Sequence, residues 1–297
     1  MSKMLSGATL FVAVAVLPSM QASAGTLTTL NTFNNTNGAK PLGSLIADSA
    51  GNLYGTTSEG GVRGSIGTVF ELSPPAAGQP AWTETILTSF TGNGADPTGG
   101  LIFDSAGNLY GMTPHGGANG DGTAFKLSPP AAGQTAWTQT ILISFNGTNG
   151  AIPYGSLILD SAGNLYGTTD GGGASNEGTV FELTPPAAGQ TAWTETVLLS
   201  LKGKKGEGPH GGLIVDGVGN LYGTTDFAGP AKHGAVFELK KPTGRKTVWK
   251  ETVLASFDKT DGALPTGSLI FDSAGNLYGT TSEGGAHNAG TVFEVTP

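Results

Sequence analysis

The stretch Asp48-Ser49-Ala50-Gly51-Asn52-Leu53-Tyr54-Gly55 decides how this chain reads, because it returns at Asp104, Asp160 and Asp272 and, as DGVGNLYG, at Asp216. The five aspartates are 56 residues apart every time, and so are Tyr54, Tyr110, Tyr166, Tyr222 and Tyr278. On one side lies a second phrase, G-[TA]-[VA]-F-[EK]-[LV], which places Phe70, Phe125, Phe181, Phe237 and Phe293 in register. A third phrase, W-[TK]-[EQ]-T-[IV]-L, follows at Trp82, Trp137, Trp193 and Trp249. Self-similarity at a fixed period marks a repeat architecture, in which each unit buries its apolar surface only against its neighbours.

Each copy carries four short runs with strand character, which in the first copy are GSLIAD, NLYGTT, GTVFEL and WTETILTSF. They are β-branched and aromatic, and Gly, Pro, Asn and Asp bound them. No window has a period of 3.6, so the sequence predicts almost no helix. Four strands per repeat and five repeats predict an all-β chain folded as a five-bladed β-propeller of four-stranded blades. Gly25–Phe33 (GTLTTLNTF) aligns with Trp82–Phe90, while the last copy stops after its third strand at FEVTP. The N-terminal strand is therefore expected to complete the fifth blade and close the ring. Copies one and five agree at 19 of 21 positions between Pro41–Gly61 and Pro265–Gly285. A solenoid would want dissimilar caps there.

Residues 1–24 read as a secretory signal peptide, with Lys3 ahead of the apolar run Ala8–Leu17 and the A-x-A site Ala22-Ser23-Ala24, cleaved after Ala24. Residues 25–297 form a single domain that is expected to be secreted, periplasmic or at a bacterial cell surface, with no membrane span. The absence of cysteine suits an exported protein stabilised by one large core without disulfides.

The succession P-x-G-[SG]-L-I, D-x-x-G-N-L-Y-G-T-T, G-G, G-T-V-F-E-L resembles the GloVer tandem repeat of exported bacterial proteins, the choice-of-anchor tandem repeat proteins, over Gly25 to Pro297. The resemblance implies an exported repeat protein of propeller type and brings no catalytic residue with it. Longer members carry a C-terminal anchor segment, which the sequence up to Pro297 lacks.

Composition narrows the classes further. Fifty glycines without a three-residue period exclude collagen, and an apolar fraction of 37% with only 12% charged residues excludes disorder. The net charge of -8 is uneven: Lys202 to Lys259 holds ten Lys/Arg against six Asp/Glu, and the rest of the chain from Gly25 holds three against sixteen. That balance argues against nucleic acid. A solvated face of one drifted blade accounts for the basic sector.

Strand order puts the loops between second and third strands on one face, together with the connections into each first strand. At those connections, after a repeated proline, one position varies: Leu42, Thr98, Tyr154, His210 and Thr266, again 56 apart. These five, with His115, Asp170, Asp226 and His287 from the neighbouring loops, are the candidate ligand-binding residues around a channel mouth. Tyr154 would offer a stacking platform and His210 a polar contact. No G-x-S-x-G elbow, P-loop or H-E-x-x-H occurs, and no cofactor is expected. The histidines are scattered, and DSAGN has too few carboxylates for calcium, so no metal site is expected and a tight hairpin explains the turn. The tyrosines and tryptophans are read as packing between blades and against the linkers. Each first strand ends in the same aspartate, which leaves no asymmetric acid and base pair of the kind glycosidases use. The leading function is a binding or interaction module with several equivalent weak sites for a polysaccharide or cell-surface polymer, acting as a monomer. The alternatives are a carbohydrate-active hydrolase or lyase using rim carboxylates such as Asp96, Glu207 and Asp226, or a purely structural repeat protein.

Overall fold

The computed structural model describes residues 25–62, 66–78, 80–92, 94–203, 206–228, 231–244 and 247–297, and in each repeat the DSAGN turn sets the local structure. Asp48 Oδ1 accepts the backbone amides of Ala50 and Asn52, and Oδ2 accepts the Asn52 side-chain amide and the Tyr54 hydroxyl. Gly51 occupies the left-handed region at φ 84°. Asp104, Asp160, Asp216 and Asp272 make the same set of bonds. The carboxylate is thus spent on its own hairpin. Burial would raise Asp104 and Asp160, but these hydrogen bonds hold both below the ordinary carboxylate value. The signal peptide expected over 1–24 lies outside the described residues.

In the first blade the turn joins β1 (Ile46–Ala47) to β2 (Leu53–Thr57), and β3 (Thr68–Ser73) and β4 (Thr83–Ser89) follow. The second blade is β5 (Ile102–Phe103), β6 (Leu109–Thr113), β7 (Thr123–Ser128) and β8 (Thr138–Ser144), and the third is β9 (Ile158–Leu159), β10 (Leu165–Thr169), β11 (Thr179–Thr184) and β12 (Thr194–Ser200). The fourth is β13 (Ile214–Val215), β14 (Leu221–Thr225), β15 (Ala235–Lys240) and β16 (Lys250–Ser256), and the fifth is β17 (Ile270–Phe271), β18 (Leu277–Thr281) and β19 (Thr291–Val295). Each sheet is antiparallel with strands in chain order, and the described residues contain no α-helix. In the four complete blades the register between third and fourth strands shifts by one residue before the repeated Phe, which is a β-bulge.

Blades are joined by a recurring interface. Core clusters link the first blade to the second, the second to the third, the third to the fourth and the fourth to the fifth. At the outer rim three half-buried tryptophans meet the Tyr of the preceding blade edge-on, at 6.4 Å for Tyr54–Trp137, 6.1 Å for Tyr110–Trp193 and 6.3 Å for Tyr166–Trp249. Ahead of the first strands the backbones touch: a methyl group on Gly99 would lie 2.5 Å from the carbonyl oxygen of Gly155, and one on Gly43 would lie 2.6 Å from that of Gly99. Only glycine allows this approach. It places the first strands innermost, as propeller geometry requires.

Two features depart from the sequence reading. The fifth sheet has three strands, and residues 25–33 form no strand, so the closing strand expected from Gly25–Phe33 is not formed. Gly25 stands where the other outer strands carry the indole that anchors them to the preceding blade. Phe33 keeps its expected register and packs edge-on against Phe70 at 5.1 Å, as Phe90 does on Phe125 and Phe145 on Phe181. The second departure is that the interblade joint forms four times rather than five. Leu45 of the first blade is 52% exposed, whereas its counterparts Leu101, Leu157, Leu213 and Leu269 are 1–2% exposed. Val292 of the fifth blade is 80% exposed, whereas Val69, Val180 and Val236 are fully buried.

Candidate functional site

The connections into the first strands share an unusual backbone. The residue before the repeated proline is left-handed in every blade: Lys40 at φ 53°, Asp96 at 58°, Ile152 at 57°, Gly208 at 65° and Leu264 at 55°. Four of these are not glycine and one is β-branched, at a cost on the order of 1 kcal/mol each. Backbone bonds over-determine the turn: Asp96, Ile152 and Leu264 donate their amides to the carbonyls of Ile66, Asp121 and His233 on the preceding blade. Antiparallel bridges Ala39↔Glu59, Ala95↔His115, Ala151↔Gly171 and Ala263↔Glu283 then tie four of the five connections to the loop between second and third strands. The strained turn and its bridge fix where the next variable side chain starts.

Three of the five variable positions, Leu42, Thr98 and Tyr154, share a cavity of about 330 Å³ with Lys40, Glu59, Asp96 and His115. Lys40 Nζ pairs with Glu59 Oε1 at 2.5 Å on the exposed rim. Thr98 Oγ1 is buried in this wall and has no hydrogen-bond partner among the described residues. A buried hydroxyl left unmatched costs about 1 to 3 kcal/mol.

The fourth position, His210, belongs to an adjoining charged cluster. Its Nε2 lies 3.0 Å from Asp170 Oδ1 and its Nδ1 2.9 Å from Asp226 Oδ2, which ties the third blade to the fourth. The hydrogen bonds to Asp170 and then Asp226 outweigh burial and push the imidazole up to about 10, so it is an imidazolium at neutral pH. Asp226 is 4% exposed, and its Oδ1 has no partner among the described residues. The Tyr154 ring packs edge-on against His210 at 4.9 Å and so separates the cavity from the cluster. Burial, together with the charges of Asp170 and Asp96, pushes the Tyr154 hydroxyl up and keeps it a hydrogen-bond donor.

Two expected residues stand apart from these groups. Thr266 is exposed on the fifth blade, and His287 lines a separate surface cleft with Asp258, Lys259 and Thr260. Among the described residues no three His, Cys, Asp or Glu side chains are placed to hold a metal ion. Lys40 and the left-handed turns were not singled out by pattern. Their sequence signal is the repeated proline that follows Lys40, Asp96, Ile152, Gly208 and Leu264.

The Gloeobacter/Verrucomicrobia repeat matches residues 15–139 and 131–297. No curated protein matches the chain. Among solved structures, a Bacteroides uniformis protein described as a 6-phosphogluconolactonase aligns at 13% identity and TM-score 0.54, covering 86% of this chain and 68% of that one. An exo-1,5-α-L-arabinanase from a bovine ruminal metagenomic library aligns at 13% identity and TM-score 0.42, over 89% of this chain and 95% of that one. An α-L-arabinofuranosidase of Podospora anserina in complex with cellotriose aligns at 14% identity and TM-score 0.43, over 90% and 93%. At these identities the likeness to the first is one of fold alone.

Proposed function

The chain belongs to the Gloeobacter/Verrucomicrobia repeat family, and from that premise we propose that it is an exported binding protein whose channel mouth takes a polar, hydroxyl-rich ligand of the glycan class. The observation that carries this reading is the cavity walled by Thr98, the Tyr154 ring, Asp96, Glu59 and His115. An aromatic wall with a few convergent donors and acceptors is what a sugar ring needs, since its faces are apolar and its rim is hydroxylated. Five left-handed turns at the same mouth support it, because strain of that kind persists where a loop has a role.

The hydrolase reading has less support. Glycoside cleavage asks for two independently ionising carboxyl groups facing a substrate. Asp170 and Asp226 are instead both engaged by one imidazolium. A glycan array followed by calorimetry tests the proposal: the wild type should bind a polysaccharide or oligosaccharide, and Tyr154→Ala should lose at least tenfold in affinity. Failure of the array to retain the protein on any carbohydrate would overturn it.

A further inference from the structure

The face opposite the mouth has clefts of its own, set where the hairpin of one blade meets the hairpin and linker of the next. One of about 480 Å³ lies between the first and second blades, and one of about 580 Å³ between the fourth and fifth. The cleft between the second and third blades is larger, about 830 Å³, and it differs in charge. Its wall includes Lys126, which stands opposite Tyr110 in the register of the second and third strands of its blade. The other four blades hold a glutamate there: Glu71, Glu182, Glu238 and Glu294 face Tyr54, Tyr166, Tyr222 and Tyr278. Two of these accept the tyrosine hydroxyl, Glu182 at 3.0 Å and Glu238 at 3.3 Å. A lysine cannot accept that bond, so Lys126 does not take over the glutamate's part in the fold.

Lys126 is half-buried, and among the described residues its ammonium has no ion pair and no hydrogen bond; it lies 5.9 Å from the centroid of the Tyr110 ring. The carboxylates that share the cleft do not neutralise it. Asp104 and Asp160 each accept four hydrogen bonds within their own hairpins and from the repeated tyrosine. From Gly25 onward only Lys40, Arg63 and Lys126 are Lys or Arg outside residues 202–259, so the positive charge is particular to this cleft. Around it stand the half-buried Trp193 indole and the hydroxyl-bearing side chains of Thr140 and Thr191. A cation partly withdrawn from water attracts an anion more strongly than one in open solvent. We infer that this cleft is a second ligand site and that it takes a sugar residue bearing a carboxylate, a uronate. The ammonium meets the carboxylate, the indole meets the apolar face of the ring, and the threonine hydroxyls meet its rim. The site shares no residue with the mouth and does not rest on the reading proposed for it.

Calorimetry on the full chain tests this with trigalacturonate and with the same trisaccharide after its carboxyl groups are reduced to alcohols. The wild type should bind the acidic form about tenfold more tightly than the reduced one. Lys126→Glu installs the residue that four blades already hold at this register, so the blade keeps its fold, which a thermal melt verifies. It should lose about tenfold in affinity for the acidic sugar, while Lys126→Arg should retain binding. Trp193→Phe keeps a ring against Tyr110 and should weaken both sugars alike. A wild type that binds neither sugar, equal affinity for the two, or binding of trigalacturonate untouched by Lys126→Glu would overturn the proposal.

Discussion

The third and fifth blades carry almost the same words, GSLILD against GSLIFD and GTVFE in both, yet their interiors differ. Val180 is fully buried and Val292 is 80% exposed at the same register opposite the second strand. The difference lies in the neighbours: the third blade has one on each side and a fourth strand of its own, and the fifth has a neighbour on one side only. Burial in a repeat protein is lent by adjacent units, so the same residue has a different energetic weight at the end of the array than in its middle.

The largest test of that contrast is truncation of the repeated phenylalanine. Phe181→Ala should cost about 3 to 5 kcal/mol in denaturant unfolding, and Phe293→Ala only ~1 to 2, because the second ring already touches water. Equal costs would mean that the fifth blade is covered in solution. Next comes the inner backbone contact. Gly99→Ala pushes a methyl group to 2.5 Å from the Gly155 carbonyl and should cost about 1 to 3 kcal/mol, whereas Gly267→Ala should be close to neutral in the same melts.

A third contrast lies within the middle of the array. Thr57, Thr113, Thr169 and Thr281 each share a 2.8 Å hydroxyl bond with a threonine at the start of the third strand, but the fourth blade has Ala235 there and leaves Thr225 Oγ1 buried without a partner. Ala235→Thr should therefore raise stability by about 1 kcal/mol in a thermal melt. The smallest effect concerns Glu195 on the outer strand of the third blade, where the second blade has Gln139. Burial, partly offset by the Asn149 amide, pushes Glu195 up from 4.5 to about 7. The folded state then holds a proton that the unfolded chain releases, so stability falls as pH rises through that window. Glu195→Gln should leave the melting temperature unchanged at pH 4 and raise it at pH 8.

What was legible in the sequence is what the chain decides locally or by strict period. The DSAGN hairpin was readable because Asp48 finds all its partners within six residues, and the five sheets followed from the period of 56. Thr98 and Tyr154 line one cavity and Tyr154 packs against His210, positions that the period places one repeat apart. The period was silent on Asp170 and Asp226 meeting at one imidazole, because that depends on how far two loops lean toward each other. GTLTTLNTF has the alternation of an outer strand but forms none, and it carries Gly25 where the other copies have Trp.

The left-handed residues before each repeated proline carry one further consequence. Because backbone bonds from Asp96, Ile152, Gly208 and Leu264 to the preceding blade hold these turns, the backbone does not dictate the side chain two residues later, and Leu, Thr, Tyr, His and Thr all stand there. One repeated backbone turn therefore presents five positions of differing chemistry, two of which, Tyr154 and His210, also pack on each other.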